Sequence, residues 1–347
     1  MKVKIYISGI VIFIIALVIV YLQLQELRNI DKFLIYYNFD TNEICKLDIK
    51  TGRITEKHRI EMEILRGGAI NSRNFSHRWF YKENDNNVYL LERSLYRGTT
   101  KMYEINLDNF IMTEIFQTGV YYYDFFIDNN DLYLLNYIEQ SNEKHNKELN
   151  YIVLHNLQTN NETIINFNEL LPEDEQVYVT SFYIHNNKII FSGYTDISEI
   201  VHKKLYLYDI AENTINAIDE YVINFTIRNN TILYDKYTNV EIIIDDDSAK
   251  TFIFNNTSLN LFNLDDGAYS TLPYQENYYF DYLIIDENRI IYSNWFISDA
   301  PYYNENAHPF IHEMPASYYI VNVNKPGKKI LFSSSDKIML LGILNKN

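Results

Sequence analysis

The chain has 347 residues, 47% of them hydrophobic, and a formal net charge of −16. That is enough apolar material for a substantial core, and so acidic a surface repels phosphate backbones, which argues against a nucleic-acid partner. A single cysteine, Cys45, excludes an intramolecular disulfide framework and any multi-cysteine metal site, and it reads as a small buried hydrophobe.

Residues 1–4 form a short tail carrying Lys2 and Lys4. From Ile5 to Leu22 the chain is uncharged and mostly apolar. At ~1.5 Å per residue this run spans roughly 27 Å as a helix, close to the ~30 Å hydrocarbon thickness of a bilayer. No small-x-small cleavage site follows it, only Gln23, Leu24, Gln25, Glu26 and Leu27. The segment is therefore expected to be an uncleaved signal anchor, a single transmembrane helix at 5–22 followed by a linker at 23–30. Lys2 and Lys4 on one side balance Arg28 and Lys32 on the other, so the positive-inside count is tied. The N-terminal amine and the short tail favour a cytoplasmic N-terminus. That places residues 31–347 outside the cell membrane.

Beyond the linker, strands are expected. Aromatics make up 16% of the chain, with 32 Tyr and 20 Phe, and these suit a pleated, half-buried surface. Gly (10) and Pro (6) are few, so turns must rely on Asn and Asp, which tolerate left-handed backbone better than other non-Gly residues. One hairpin pattern, two apolar arms around an Asx turn, recurs at Phe80–Ser94, Phe125–Tyr137, Phe182–Tyr194, Phe225–Tyr237 and Leu283–Trp295. A second pattern, a strand ending in Asp or Asn plus an aliphatic residue and then a polar turn, alternates with the first. Its copies are Cys45–Ile54, Tyr103–Ile111, Val153–Ile164, Tyr206–Ile215, Leu261–Ser270 and Tyr319–Ile330. The marker aliphatics Ile49, Leu107, Leu157, Ile210, Leu264 and Val323 recur about every 55 residues.

Each repeat thus holds four strands, A-B then C-D, as in a propeller blade. The C-terminal Leu340–Asn347 resembles a strand A, and Ile30–Asn38 resembles the strand B that should follow it. Pairing Ile338–Leu344 beside Phe33–Asn38 would close a ring and remove both exposed edges. The expected fold is all-β: a six-bladed β-propeller of four-stranded antiparallel blades, closed by the C-terminal strand, after one N-terminal transmembrane helix. Segments such as CKLDIKTGRI and YLYDIAENTI resemble the strand-Asp-turn-strand units of bacterial TolB-like and YVTN-type propellers and of pyrroloquinoline-quinone dehydrogenase-like repeats. The tryptophans that mark the quinoprotein repeats are missing, so the resemblance does not imply that cofactor, and no other cofactor is expected.

Spacing between the two hairpin markers ranges from 16 residues (Phe33 to Ile49) to 33 (Ile290 to Val323), so length variation gathers in the B-C connections. Insertions gathered on one face of a repeat protein usually mark its binding face. The two longest connections contain Thr238–Lys250 and Phe296–Ser317. Candidate ligand-face residues there are Asp245, Asp246 and Asp247, which offer oxygens to a hard cation without the alternating spacing of a calcium loop. Trp295, Tyr302 and Tyr303 could stack on a sugar or peptide. His308 and His312 stand four apart, but Pro309 lies between them and a polar loop is the simpler reading. Asp124, Ser181 and Asn224 occupy one position in three strand A copies, three residues before the turn-proximal Ile, and are candidates to line the central channel.

Nucleophile-elbow, phosphate-loop and dinucleotide signatures are absent. The expected role is a membrane-anchored, extracytoplasmic binding or sensor module for a protein or glycan. A propeller-fold carbohydrate hydrolase and a structural envelope protein are the alternatives. A hydrolase requires two carboxylates ~5–9.5 Å apart at the channel mouth, one with its pKa raised by burial.

Overall fold

The computed structural model describes residues 30–38, 40–60, 75–82, 86–94, 99–128, 131–142, 145–166, 169, 171, 177–195, 202–238, 240–244, 250–253, 256–276, 279–294, 316–324, 328–334 and 338–346. The segment Ile5–Leu22, expected to be an anchor, lies outside this set. Among the described residues no helix is long and apolar enough to cross a membrane.

The described strands form six four-stranded antiparallel sheets and one two-stranded sheet. Blade one contains β1 (Lys32–Asn38), β2 (Glu43–Asp48) and β3 (Arg53–Arg59), and blade two β4 (Phe75–Lys82), β5 (Asn87–Ser94), β6 (Thr99–Asn106) and β7 (Met112–Thr118). Blade three is β8 (Asp124–Asp128), β9 (Asp131–Asn142), β10 (His145–Asn156) and β11 (Glu162–Ile165). Blade four is β12 (Tyr178–His185), β13 (Lys188–Tyr194), β14 (Lys204–Asp209) and β15 (Thr214–Glu220). Blade five uses β16 (Val222–Arg228), β17 (Thr231–Thr238), β20 (Asn256–Asn263) and β21 (Tyr269–Glu276), with the small hairpin β18 (Glu241–Ile244) and β19 (Lys250–Ile253) inserted between β17 and β20. Blade six is β22 (Tyr279–Asp286), β23 (Arg289–Asn294), β24 (Ala316–Asn322) and β25 (Lys328–Ser334), and the chain ends in β26 (Ile338–Asn345).

β26 adds to blade one as its innermost strand, giving the order β26-β1-β2-β3. The pairing runs from Lys32 opposite Asn345 to Asn38 opposite Ile338, with a bulge between Ile35 and Tyr36. The expected closure is therefore the one found. Inner strands of successive blades touch around the axis: β26 meets β4, β4 meets β8, β8 meets β12, β16 meets β22, and β22 meets β26.

Alternation along each second strand explains why the blades stack. Leu34 and Tyr36 of β1 pack with Ile291 and Tyr318 of blade six. Their neighbours Ile35 and Tyr37 pack with Val88 and Leu90 of blade two. The same division recurs at every seam, giving six cores, each shared between two adjacent blades. An inner strand is thus covered on both faces and reads as a continuous apolar run. The outermost strand β3 is mostly exposed.

Within each unit the sequence sets the C-D turn through its Asx residue. The Oδ1 of Asp48, Asn106, Asn156 and Asp209 each accepts the backbone N–H groups two and three residues on. The Oδ1 of Asn263 and Asn322 accepts the N–H two residues on. Four residues after the Asx, left-handed backbone is supplied by Gly52, Phe110, Asn160, Asn213 and Gly267. The marker aliphatic then straps this turn to the neighbouring A-B turn. Backbone N–H groups of Leu107, Ile210, Leu264 and Val323 donate to the carbonyls of Asn86, Asn187, Asn230 and Asn288. In blade one the N–H of Ile49 donates to the carbonyl of Lys32. Seven of the eleven left-handed residues among those described are Asn and none is Asp, so of the two residues expected to stand in for Gly at such positions it is Asn that does so.

Two details differ from the sequence reading. Phe33 pairs with Asp48, which is the position Lys188 takes against Asp209, so the first marker of blade one is Leu34 rather than Phe33. The long B-C connection of blade five is not plain loop. Ile242 and Ile243 belong to β18, whose hydrogen bonds go to β19.

Candidate functional site

All A-B and C-D turns emerge on one face of the ring, and all B-C and D-A connections on the other, because the strands alternate in direction. Elaboration is confined to the B-C side. β9 and β10 stay paired for twelve residues each, out to Asn142 opposite His145, which carries a two-stranded ribbon beyond the blade body. The β18–β19 hairpin rises from the same edge of blade five. Asp245, Asp246 and Asp247 fall between these two strands and lie outside the described residues, as do Trp295, Tyr302, Tyr303, His308 and His312.

Asp124, Ser181 and Asn224 are described, and they share a place. Each stands near the start of an inner strand, at the end closest to the B-C face. Ser181 lies opposite Ser192 and Asn224 opposite Asp235, in both cases just after a bulge. Asp281 of β22 holds the equivalent position in blade six, opposite Ser293 and again just after a bulge. Sequence reasoning missed Asp281 because the turn-proximal aliphatic there is Ile285, and three residues before it stands Tyr282; a bulge between Ile284 and Asp286 shifts the register by one and brings Asp281 into the place of Ser181. Asp235 gave no signal either, because the matching residues on the other B strands are Tyr37, Leu91, Leu135, Ser192 and Ser293.

The layer's polar groups bond to one another and to backbone. The Ser181 and Ser192 hydroxyls are 3.0 Å apart, and Thr180 Oγ1 lies 2.9 Å from Ser192 Oγ. Asp124 Oδ1 accepts the Phe125 N–H at 3.0 Å. Asp235 is fully buried at the seam of blades five and six. Its Oδ1 accepts the Asn224 N–H and the Tyr282 hydroxyl, each at 2.9 Å, while Oδ2 is buried with no hydrogen-bond partner. Asp281 Oδ2 accepts the Leu340 N–H of the closing strand. Burial pushes the carboxyls of Asp235 and Asp281 up to about 7, against the opposing pull of these hydrogen bonds. The same burial, with Asp235 alongside, raises the Tyr282 hydroxyl well above its ordinary value.

Carbohydrate hydrolysis would use one acid with a raised pKa beside a second carboxylate that stays ionised. Here, however, both carboxyls are tied across seams, Asp235 to Tyr282 of the next blade and Asp281 to the strand that closes the ring. Their first role is architectural. Among the described residues no three His, Cys, Asp or Glu gather as a metal site would require.

No protein-family model and no curated protein matches this chain. Three solved structures similar to it are remote in sequence. The tricorn protease structure aligns at 12% identity and a TM-score of 0.47, over 87% of this chain and 29% of that one. TolB from Acinetobacter baumannii aligns at 9% identity and a TM-score of 0.47, over 90% of this chain and 65% of that one. A chain of a nidogen/laminin complex aligns at 10% identity and a TM-score of 0.47, over 90% and 97%. The TolB likeness is one of fold alone.

Proposed function

We propose that this propeller is a membrane-anchored, extracytoplasmic binding or sensor module that engages a protein or glycan through its B-C face, without catalysing a reaction. The observation that carries this reading is the asymmetry between the two faces. Turns on the A-B and C-D side are short and strapped together by backbone bonds. Chain length beyond the needs of the blade gathers on the other side, in the β9–β10 ribbon, in the β18–β19 hairpin and in the long connection of blade six. Variable connections on a rigid frame are where binding residues concentrate. The apolar run Ile5–Leu22 supports the anchor.

The test is affinity capture with the solubilised full chain, compared with two variants. One replaces Glu241–Ile253 by a short Gly/Ser turn, and the other shortens Phe296–Ser317. Loss of a captured partner or glycan from either variant is expected. Identical capture by all three would remove this face as the site.

A further inference from the structure

We infer that the A-B/C-D face of the ring lies against the bilayer, with the apolar side chains at its rim touching lipid, so that the B-C face points away from the membrane. This rests on the reading of Ile5–Leu22 as an anchor.

Two independent observations point the same way. The first is where the chain enters the ring. β1 is a strand B, so it starts at the A-B turn end of its blade. Lys32 sits opposite Asn345, at the far end of the closing strand, and its carbonyl accepts the N–H of Ile49 in the C-D turn. Ile30 is already buried in the seam between blades six and one. The tether therefore arrives at the A-B/C-D face. Between Leu22 and Ile30 the chain reaches at most on the order of 25 Å when fully stretched. A blade strand of seven residues is itself roughly 23 Å long. Turning the B-C face to the bilayer would consume almost the whole tether in running along the blade, whereas the opposite pose needs none of it.

The second observation is the distribution of exposed apolar side chains. Among the described residues seven large ones stand exposed: Ile54, Ile111, Ile164, Ile210, Tyr269, Ile330 and Val120. The first six fall one to a blade. Ile210 lies in a C-D turn, Ile111 at the end of one, and Ile54, Ile164, Tyr269 and Ile330 within the first three residues of an outermost strand. All six belong to the tether end of the ring, and their exposure runs from 38% for Ile210 to 62% for Ile164. Only Val120, in a D-A connection, is on the other side. Scattered exposed aliphatics need no explanation, but a single ring of them around the tethered face fits an apolar surface held within reach. The strong negative charge of the chain opposes docking on anionic headgroups, so a neutral bilayer is the partner this rim suits.

The experiment uses the full chain in phosphatidylcholine vesicles that contain a little acceptor-dye lipid. A donor dye is placed at Thr51→Cys in the C-D turn of blade one or at Thr41→Cys in its B-C turn, both exposed positions. Cys45 is buried, and the unsubstituted chain reports any labelling of it. Energy transfer to lipid is expected to be severalfold stronger from Thr51→Cys than from Thr41→Cys, and to weaken when Ile54, Ile111, Ile164 and Ile330 are all changed to Ser. Equal or reversed transfer in vesicles that carry the protein would overturn the orientation while leaving the anchor standing. Protein that fails to float with the vesicles would remove the anchor itself, and the orientation with it. Unchanged transfer from the Ser variant would reject lipid contact by the rim. Transfer between mixed donor- and acceptor-labelled Thr51→Cys chains, in place of transfer to lipid, would show a second copy covering this face and would also overturn the inference.

Discussion

At the residue scale the unusual group is Asp235, a carboxyl without solvent, bonded to Tyr282 and to the Asn224 N–H. Its pKa is raised by burial to about 7, so the folded state holds a proton that the unfolded chain releases near pH 4. The folded state therefore binds more protons across this window, and the contribution of Asp235 is full below about pH 4 and lost as pH rises to about 7. At ~1.4 kcal/mol per pH unit the change amounts to roughly 4 kcal/mol. Asp235→Asn cannot titrate. The stability advantage of the native protein over this variant should shrink as pH rises from about 4 to 7 and then level off, as read from denaturant unfolding at a series of pH values. A difference that stays constant would mean Asp235 titrates alike folded and unfolded. Asp48 works in the opposite direction. Burial acts to raise its pKa, but Lys346, 3.1 Å away, and two backbone N–H groups outweigh that and hold it low, so its contribution is lost on acidification. Comparing variant with native protein cancels that background. This acid layer was only partly legible in the sequence. Asp124, Ser181 and Asn224 showed because the strand A copies align, whereas Asp235 acquires its meaning from the Tyr282 hydroxyl across a seam that no local pattern encodes.

At the scale of the element, the blades were readable because their turns are chemical rather than merely polar. An Asx side chain that accepts two backbone N–H groups fixes where the C-D hairpin reverses, and the aliphatic after it fixes how that turn joins its neighbour. In Asp209→Ala the N–H groups of Ala211 and Glu212 lose their acceptor. The expected cost is about 1 kcal/mol, since both groups are exposed and water can replace the carboxyl. A lowered unfolding midpoint with unchanged circular dichroism would report it, and a loss beyond about 3 kcal/mol would mean the turn nucleates more than its own hairpin. The β18–β19 hairpin escaped the sequence reading for a related reason. Ile242–Ile244 is a short apolar run followed by three aspartates with no Asx–aliphatic mark, and such a run does not declare its pairing partner. The first marker of blade one slipped by a residue because Phe33, Leu34 and Ile35 are all apolar, and only the ladder against Asp48 sets the phase.

For the molecule as a whole, six seam cores in a ring make every blade dependent on two neighbours, and the last strand supplies the inner edge of the first blade. Removing residues 336–347 would uncover β1 and strip Ile338, Leu340 and Ile343 from the core shared by blades six and one. It would also take the Leu340 N–H from Asp281. The expected result is loss of the single cooperative thermal transition, with exposed hydrophobic surface detectable by dye binding. A truncate that melts in one sharp step at the native temperature would show that the ring stands without its final strand.

The order of synthesis adds a consequence of that closing strand. The closing strand is made only after all six blades have been begun, so a nascent chain holds a bare backbone edge on β1 until Ile338–Asn345 has left the ribosome. Such an edge is a template for pairing with other chains. Stalled or clipped products should accordingly be sticky and short-lived. A purification tag fused to the carboxyl end would crowd Lys346, which reaches back to Asp31 and Asp48 beside the entry point, whereas an amino-terminal tag leaves that junction alone.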